Sequence, residues 1–284
     1  MRRSSASEYE TKPWICRRCG ATAYTEPHLH AYVCHLYRRE SSMKNRHWTE
    51  LPRVAFDTES TGLDTSTARI IQAAVITHDP SGELVEEDRV IYIDPGEPIP
   101  AAAAAIHGIT AEVLKEKHAW DSAAGIPYLM GSIQGRSTVR GFPLVIYNAG
   151  YDWPLLMAEC ARVPGFDSSR SELLKPYILD PLVIDRALDK YRKGSRKLVD
   201  VAAHYGIAMD GNAHDAAVDA KASLGVMQAL IEAFPELKTH SLEEMRSLQS
   251  GWYQEWSVHI NKYWQENGKA DRVTGSWPGG KDSL

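Results

Sequence analysis

The sequence has no apolar run approaching the ~18 residues that a membrane-spanning helix needs. Its longest small-apolar stretch, Ala101 to Ile106, is too short and too rich in alanine. Two arginines stand near the N-terminus, but no apolar block follows them. A secretory signal is therefore not expected, and a cytoplasmic protein without a membrane partner is. Cysteine is scarce, with Cys16, Cys19, Cys34 and Cys160 the only four. Three of these crowd together beside histidines, which in a reducing compartment points to a metal rather than to disulfides. No internal repeat or low-complexity segment is present. A positive excess is also missing, since the net charge is −5. That average hides an asymmetry: residues 1–50 carry nine Lys/Arg against five Asp/Glu, leaving −9 for the rest. An acidic domain is still compatible with a polyanionic substrate where bound cations neutralise its cleft.

What is present is the composition of an ordinary globular protein, 43% hydrophobic and 24% charged over 284 residues. That length accommodates one catalytic domain with smaller attachments. From Leu51 the pattern is mixed α/β. Arg53–Asp57 is an apolar run ending in a carboxylate, and Ile70–Thr77 and Arg89–Ile93 read as strands. Asp79-Pro80-Ser81-Gly82 makes a turn after Ile70–Thr77, so the sheet is expected to begin as an antiparallel meander. Helical signals follow at Thr110–Lys117 and Trp120–Ile133, then a strand at Pro143–Tyr147, a helix at Pro154–Ala161 and a strand at Tyr177–Asp180. Asp215–Phe234 places Ala216, Ala220, Leu224, Met227 and Leu230 on one helical face. The order predicts an α/β sheet with parallel later strands and helices on its faces. Three domains are expected: 1–50, a Cys/His module and linker; 51–235, the catalytic domain; and 236–284, a helical extension holding four of the eight tryptophans.

Carboxylates carry the chemistry. In Phe56-Asp57-Thr58-Glu59-Ser60-Thr61-Gly62-Leu63, strand alternation points Asp57 and Glu59 to the same face. Side by side they repel, and burial makes that worse, so a cation between them would relieve the site. Asn148-Ala149-Gly150-Tyr151-Asp152 again ends an apolar strand in polar groups. In His214-Asp215-Ala216-Ala217-Val218-Asp219, the two outer residues would lie about 140° apart on a continuous helix. His214 is therefore expected on a loop before the helix, with Asp219 on an otherwise small, apolar face and Asp215 as N-cap.

These three segments, in this order, resemble the DEDDh group of DnaQ-like 3′–5′ exonucleases: Asp-x-Glu-x-Thr-Gly-Leu, Asn-x-x-x-Asp and His-x-x-x-x-Asp. The resemblance implies an RNase H-like fold and a phosphodiesterase that releases nucleoside 5′-monophosphates from a 3′ end, with DNA favoured over RNA. It implies two Mg²⁺ or Mn²⁺ ions held by Asp57, Glu59, Asp152 and Asp219, and hard oxygen donors suit both ions. His214 would take a proton from the attacking water, a task fitted to imidazole near neutral pH. Thr61, Leu63, His107, Tyr147, Asn148 and Tyr151 would grip the terminal nucleotide. His107 belongs to Ile106-His107-Gly108-Ile109-Thr110, which is similar to a family element between the first two motifs. The chain departs from the family at Ser60, commonly Thr, at Tyr147, usually His, and at Tyr151, usually Phe. An exoribonuclease of the same fold, and a zinc-bearing nucleic-acid adaptor that only binds, are the alternatives. No clamp-binding or polymerase-binding peptide stands out, so a polymerase partner and a proofreading or repair role stay open.

In the N-terminal module, Cys16-x-x-Cys19 and His30-x-x-x-Cys34 have the spacing of a structural zinc site, with His28 and His35 as competing ligands. Lys190, Arg192, Lys193, Arg196 and Lys197 form a basic run, either a solvated loop or a contact to substrate backbone. Trp252, Trp256, Ile260 and Tyr263 follow helical spacing, which favours packing over base stacking. Cys160 reads as core. Gly275-x-x-x-x-Gly280-Lys281-Asp282 lacks the Ser/Thr of a nucleotide-binding loop and is rejected.

Overall fold

The computed structural model describes residues 14–15, 22–23, 46–165, 176–209 and 214–279. Cys16, Cys19, His30 and Cys34, the expected zinc ligands, lie outside the described residues. Two compact units are present, Met1–Arg46 and His47–Leu284. In the first, β1 (Trp14–Ile15) pairs antiparallel with β2 (Thr22–Ala23).

The second unit is built on a six-stranded mixed sheet. β3 (Arg53–Ser60), β4 (Ile70–His78) and β5 (Leu84–Asp94) form the antiparallel meander. Asp79 accepts backbone N–H groups from Ser81 and Glu83, which closes the short β4–β5 turn. The chain then forms α1 (Ala101–His107), α2 (Ala111–Glu116), β6 (Trp120–Asp121), α3 (Ser122–Ile133) and β7 (Leu144–Val145). After β7 come α4 (Ala149–Arg162), β8 (Ile178–Leu179), α5 (Pro181–Leu188), α6 (Leu198–His204), α7 (Ala216–Ala233) and α8 (Leu242–Glu266). The sheet order is β6-β5-β4-β3-β7-β8. β7 lies parallel to β3, β8 parallel to β7, and β6 parallel to β5.

Three elements differ from the sequence reading. Ala101–His107 is a helix that the sequence shows only as a small-apolar stretch. It buries no residue, so it has no amphipathic stripe to read. Trp120 and Asp121 form an edge strand rather than the start of a helix, and Asp121 instead caps α3 by accepting the Ala124 N–H. β5 begins at Leu84, before the expected Arg89.

Helices cover both faces of the sheet. α7 packs on one face with Ala55, Ala74, Ile76 and Val145 beneath it, its own Ala216, Ala220, Leu224, Met227 and Leu230 facing them. The small side chains of Ala55, Ala74, Ala216 and Ala220 let helix and sheet approach closely. α3 lies against β5, where a Cβ at Gly125 would come 3.1 Å from Ile93 Cγ1. Leu155, Leu156 and Cys160 of α4 are fully buried. Each buried leucine or isoleucine contributes about 1.5–3 kcal/mol relative to exposure. α8 joins the same unit through Met245, which is part of the α7 core. No helix among the described residues is long and apolar enough to cross a membrane.

Candidate active site

β3 delivers the first two carboxyls. Residues 53–56 of the strand are buried, and the register continues through Glu59 opposite Gln72 before a bulge at Glu59/Ser60. Asp57 is half-buried and Glu59 buried on one face of the strand. Thr58 points to the other face and donates its hydroxyl to Asp152 Oδ1 at 2.6 Å. Asp152 sits buried in the first turn of α4, and Asp219 lies in the first turn of α7. Both carboxyls thus occupy helix N-termini, where the helix dipole favours negative charge. Asp215 caps α7 by accepting the Ala217 and Val218 N–H groups at 3.0 and 3.3 Å. Glu59, His214 and Asp219 each bring a ligand atom to within 4.8 Å of the others.

The electrostatics are those of carboxyls that cannot all be charged together. Burial, then Asp152, Asp219 and Glu59, push Asp57 well above the usual carboxyl range. Glu59 is pushed up to about 8 by burial and by Asp219, Asp152 and Asp215. Burial raises Asp152 to about 7, against the opposing hydrogen bond from Thr58. Burial also raises Asp219, which His214 partly offsets. Asp219 Oδ1 is buried and accepts no hydrogen bond from the described residues. A buried acceptor left unmade costs about 1–3 kcal/mol. A hard divalent cation would satisfy that oxygen and relieve the repulsion together, so this all-oxygen donor set fits Mg²⁺ or Mn²⁺.

His214 stands immediately before the Asp215 cap, exposed and in the left-handed region at φ 69°. His107 ends α1, and Gly108 follows at φ 73° in the left-handed conformation that closes the helix. His107 Nδ1 accepts the Ile109 N–H at 3.0 Å, which places the proton of the neutral ring on Nε2. That Nε2 is buried; burial lowers the His107 pKa, and a hydrogen bond to the Ser60 backbone opposes the shift. The ring lies within electrostatic reach of His214 and beside the Ser60 backbone.

The remaining candidates fall into two groups. Tyr151 donates its hydroxyl to the Gly62 carbonyl at 2.5 Å and also meets Ser60 Oγ, fixing the turn after β3. Thr61 Oγ1 accepts the Arg69 N–H at 2.9 Å, while Leu63 next to that turn is 84% exposed. Asn148 is exposed at φ 63°. Tyr147 is not brought to the acidic cluster. It is buried in the α7 core, and its hydroxyl donates to the Arg196 carbonyl at 2.6 Å. A side chain at the position before Asn148 follows strand alternation into the core, away from the polar end of β7.

Sequence reasoning passed over several supporting residues. Asp180 accepts the N–H groups of Asn148 and Ala149 at 3.0 and 2.9 Å and so holds the turn that starts α4. Gln72 accepts the Ala216 N–H at 3.0 Å, docking the start of α7 on β4. Asp180-Pro181 does carry a local N-cap and N1-proline signal. Its reach to Asn148 carries none.

A mixed sheet with carboxyls gathered from β3, α4 and α7 is the arrangement of a DnaQ-like nuclease. Residues 54–227 match the RNase_T family model, described as exonuclease, and the chain belongs to that family. An uncharacterized exonuclease of Escherichia phage 186 is 33% identical over 199 residues, 66% of this chain and 93% of that protein. DNA polymerase III subunit epsilon of Treponema pallidum is 25% identical over 198 residues, 68% of this chain and 82% of that one. Exonuclease I from Methylocaldum szegediense shares the fold with a TM-score of 0.54 at 21% identity. E. coli Exonuclease I in complex with a dA16 oligonucleotide does so with 0.55 at 22%. This chain spans only 42% of the length of those two structures, which cover 66% of it.

Proposed function

We propose that this chain is a 3′–5′ exonuclease that hydrolyses the phosphodiester bond at the 3′ end of DNA with two divalent cations, Mg²⁺ or Mn²⁺. The product is a nucleoside 5′-monophosphate. The observation that carries this reading is the gathering of carboxyls from β3, α4 and α7: Glu59, His214 and Asp219 bring ligand atoms within 4.8 Å of one another, and Asp57 and Glu59 are both raised by Asp152 and Asp219. Asp57, Glu59 and Asp219 would hold one ion, with Asp57 shared and Asp152 holding the second. When bound, the ions supply charge stabilisation at phosphorus and favour ionisation of water.

The protein's own residues do the rest. His214, exposed and next to Glu59 and Asp219, takes the proton from the attacking water. Thr61, Leu63, His107, Asn148 and Tyr151 border the place of the terminal nucleotide, and Tyr151 holds the Ser60–Gly62 turn against it. His107, its ring beside the Ser60 backbone and within reach of His214, would present Nε2–H as a donor to a nucleotide oxygen. DNA is favoured over RNA because fold relatives are Exonuclease I bound to a dA16 or dT13 oligonucleotide, and a sequence relative is a DNA polymerase subunit. That last relative also supports a polymerase partner. Residues 51–235 are the exonuclease domain and 236–284 an extension. A structural zinc on Cys16, Cys19, His30 and Cys34 completes the reading of residues 1–50 and is checked by metal analysis of purified protein.

One assay tests the reaction: 3′- and 5′-labelled DNA and RNA strands with Mg²⁺, Mn²⁺ or EDTA. Release of single nucleotides from the 3′ end of DNA with metal, and none in EDTA, is expected. Preference for RNA would make the protein an exoribonuclease. Binding without cleavage under every metal condition would make it an adaptor.

A further inference from the structure

α8 lies outside residues 54–227, which match the exonuclease family, yet it closes a groove against the basic loop that follows α5. Arg186, Lys190, Arg192 and Arg196 line one side and Trp252 and Trp256 the other, with Glu255 the carboxyl among the lining residues. The groove encloses about 520 Å³.

Its cations are not equivalent. Arg192 and Arg196 both pair with the fully buried Asp185, Arg192 at 2.7 Å, and Arg196 also donates to the Asp189 carbonyl at 2.6 Å. These two arginines shape the loop. Arg186 does something else. Its guanidinium stacks on the Trp256 ring, 4.1 Å from the centroid, and it forms no hydrogen bond or ion pair with any described residue. Burial lowers its pKa, and the nearby Asp180 carboxyl opposes that shift. On the loop that supplies Lys190 to the groove, Lys190 and Lys193 are exposed and flank Tyr191, which is 91% exposed. An exposed aromatic ring between two lysines, on a loop that also rims a groove holding Arg186, is the composition that single-stranded nucleic acid recognises: cations for phosphates, a ring for a base.

The loop is also anchored at the right end of the sheet. The Tyr147 hydroxyl bonds to the Arg196 carbonyl, one residue before Asn148. β3, β7 and β8 run parallel in register, Ala55 beside Val145 and Val145 beside Leu179, so they lead together toward Asp57, Asn148 and Asp180.

We infer that this groove and the loop of Lys190, Tyr191 and Lys193 at its rim are a second nucleic-acid site, holding backbone phosphates of a single strand away from the bond that is cut. Arg186, Lys190 and Lys193 meet phosphates, and Tyr191 stacks on a base. The inference rests on the reading that the acidic cluster cuts the 3′ end of that strand.

The test uses the full chain and two readouts. The first is anisotropy of a 5′-labelled oligothymidylate of about 20 nucleotides, measured in Ca²⁺ over a salt series. The second is hydrolysis of the p-nitrophenyl ester of thymidine 5′-monophosphate in Mn²⁺, a substrate too short to reach the groove. Lys190→Ala with Lys193→Ala should weaken oligonucleotide binding about tenfold and lower the salt slope by about 1.4, the effect of two lost phosphate contacts. Tyr191→Ala should weaken binding by about tenfold with the slope unchanged. Arg186→Gln, which loses one contact, should weaken binding less and lower the slope by about 0.7, and all variants should hydrolyse the ester at the wild-type rate. Wild-type binding and slope in these variants, with normal cleavage by the parent protein, would overturn the groove and leave the exonuclease reading intact. Loss of binding in the variants, with no cleavage of ester or strand by the parent, would keep the groove and overturn the exonuclease reading. A labelled polyglutamate released by the same substitutions, with oligonucleotide binding untouched, would assign the groove to an acidic protein and overturn the inference.

Discussion

Trp277 donates its indole N–H to Asp180 Oδ2 at 3.2 Å, joining chain segments 97 residues apart at the back of the acidic cluster. The same carboxyl accepts the N–H groups of Asn148, Ala149, Leu182 and Val183. It thereby caps α5 and pins the left-handed residue from which α4, with Asp152 in its first turn, sets out. The Asp180 backbone N–H in turn donates to Gln249 Oε1 at 2.7 Å, from α8. The C-terminal segment thus braces the turn that presents Asp152.

Asp180→Ala should accordingly be severe. It removes a helix cap, worth about 1 kcal/mol, and leaves buried N–H groups unpaired at about 1–3 kcal/mol each. A loss of at least about 3 kcal/mol in urea unfolding is expected. Trp277→Phe keeps the ring and removes one donor, so about 1 kcal/mol should go. Unchanged stability in Trp277→Phe would mean that the indole does not brace Asp180 in solution.

Substituting the cluster itself should separate activity from folding. Asp57→Ala and Asp219→Ala are expected to abolish hydrolysis while circular dichroism stays that of the parent, because each removes a carboxyl that repels its neighbours. His214→Ala, on an exposed residue, should slow cleavage by about 10²–10⁴ if it takes the water's proton. Wild-type turnover by any of the three in excess Mg²⁺ would refute its assigned role.

The raised carboxyls also set a pH dependence. Glu59 has an ordinary value of 4.5 and is held near 8 in the folded chain, so the native state binds the extra proton between those limits. Unfolding there releases a proton, and stability falls as pH rises. In EDTA the melting temperature should drop from pH 5 to pH 8, and Glu59→Gln should flatten that drop. Mg²⁺ should restore stability at pH 8, where binding displaces fewer protons. A fall of equal size in Glu59→Gln would show that other groups cause it.

Much of this site is written locally in the sequence. Alternation places Asp57 and Glu59 on one face of β3, and the 100° helical step puts His214 ahead of α7, because both patterns depend on near neighbours. What escaped is long-range or too short to have a period. The bond from Asp180 to Asn148 crosses 32 residues between two strand ends. β6 is two residues long, and α1 fully buries none of its residues, so neither shows a hydrophobic rhythm. The basic run likewise reads as one patch, whereas the fold divides it. Asp185 takes up Arg192 and Arg196 and leaves Lys190 and Lys193 exposed.

Tyr147 offers a final, discriminating test, because resemblance and structure give it different work. The family usually has His here, which would place the side chain on the terminal nucleotide. The structure instead buries the ring in the α7 core and gives its hydroxyl to Arg196. Burial pushes the phenol well above its ordinary pKa, so it remains a neutral donor throughout the working range. Tyr147→Phe keeps the ring's packing and deletes only the donor, which should reduce stability by about 0.5–1.5 kcal/mol. It should leave kcat and KM for the short thymidine ester unchanged, since the hydroxyl does not face the acidic cluster. Oligonucleotide binding should weaken modestly as the loop loses its tether to β7. A tenfold rise in KM for the ester at unchanged stability would reverse the assignment and put Tyr147 on the nucleotide, with the loop held by Asp185 alone.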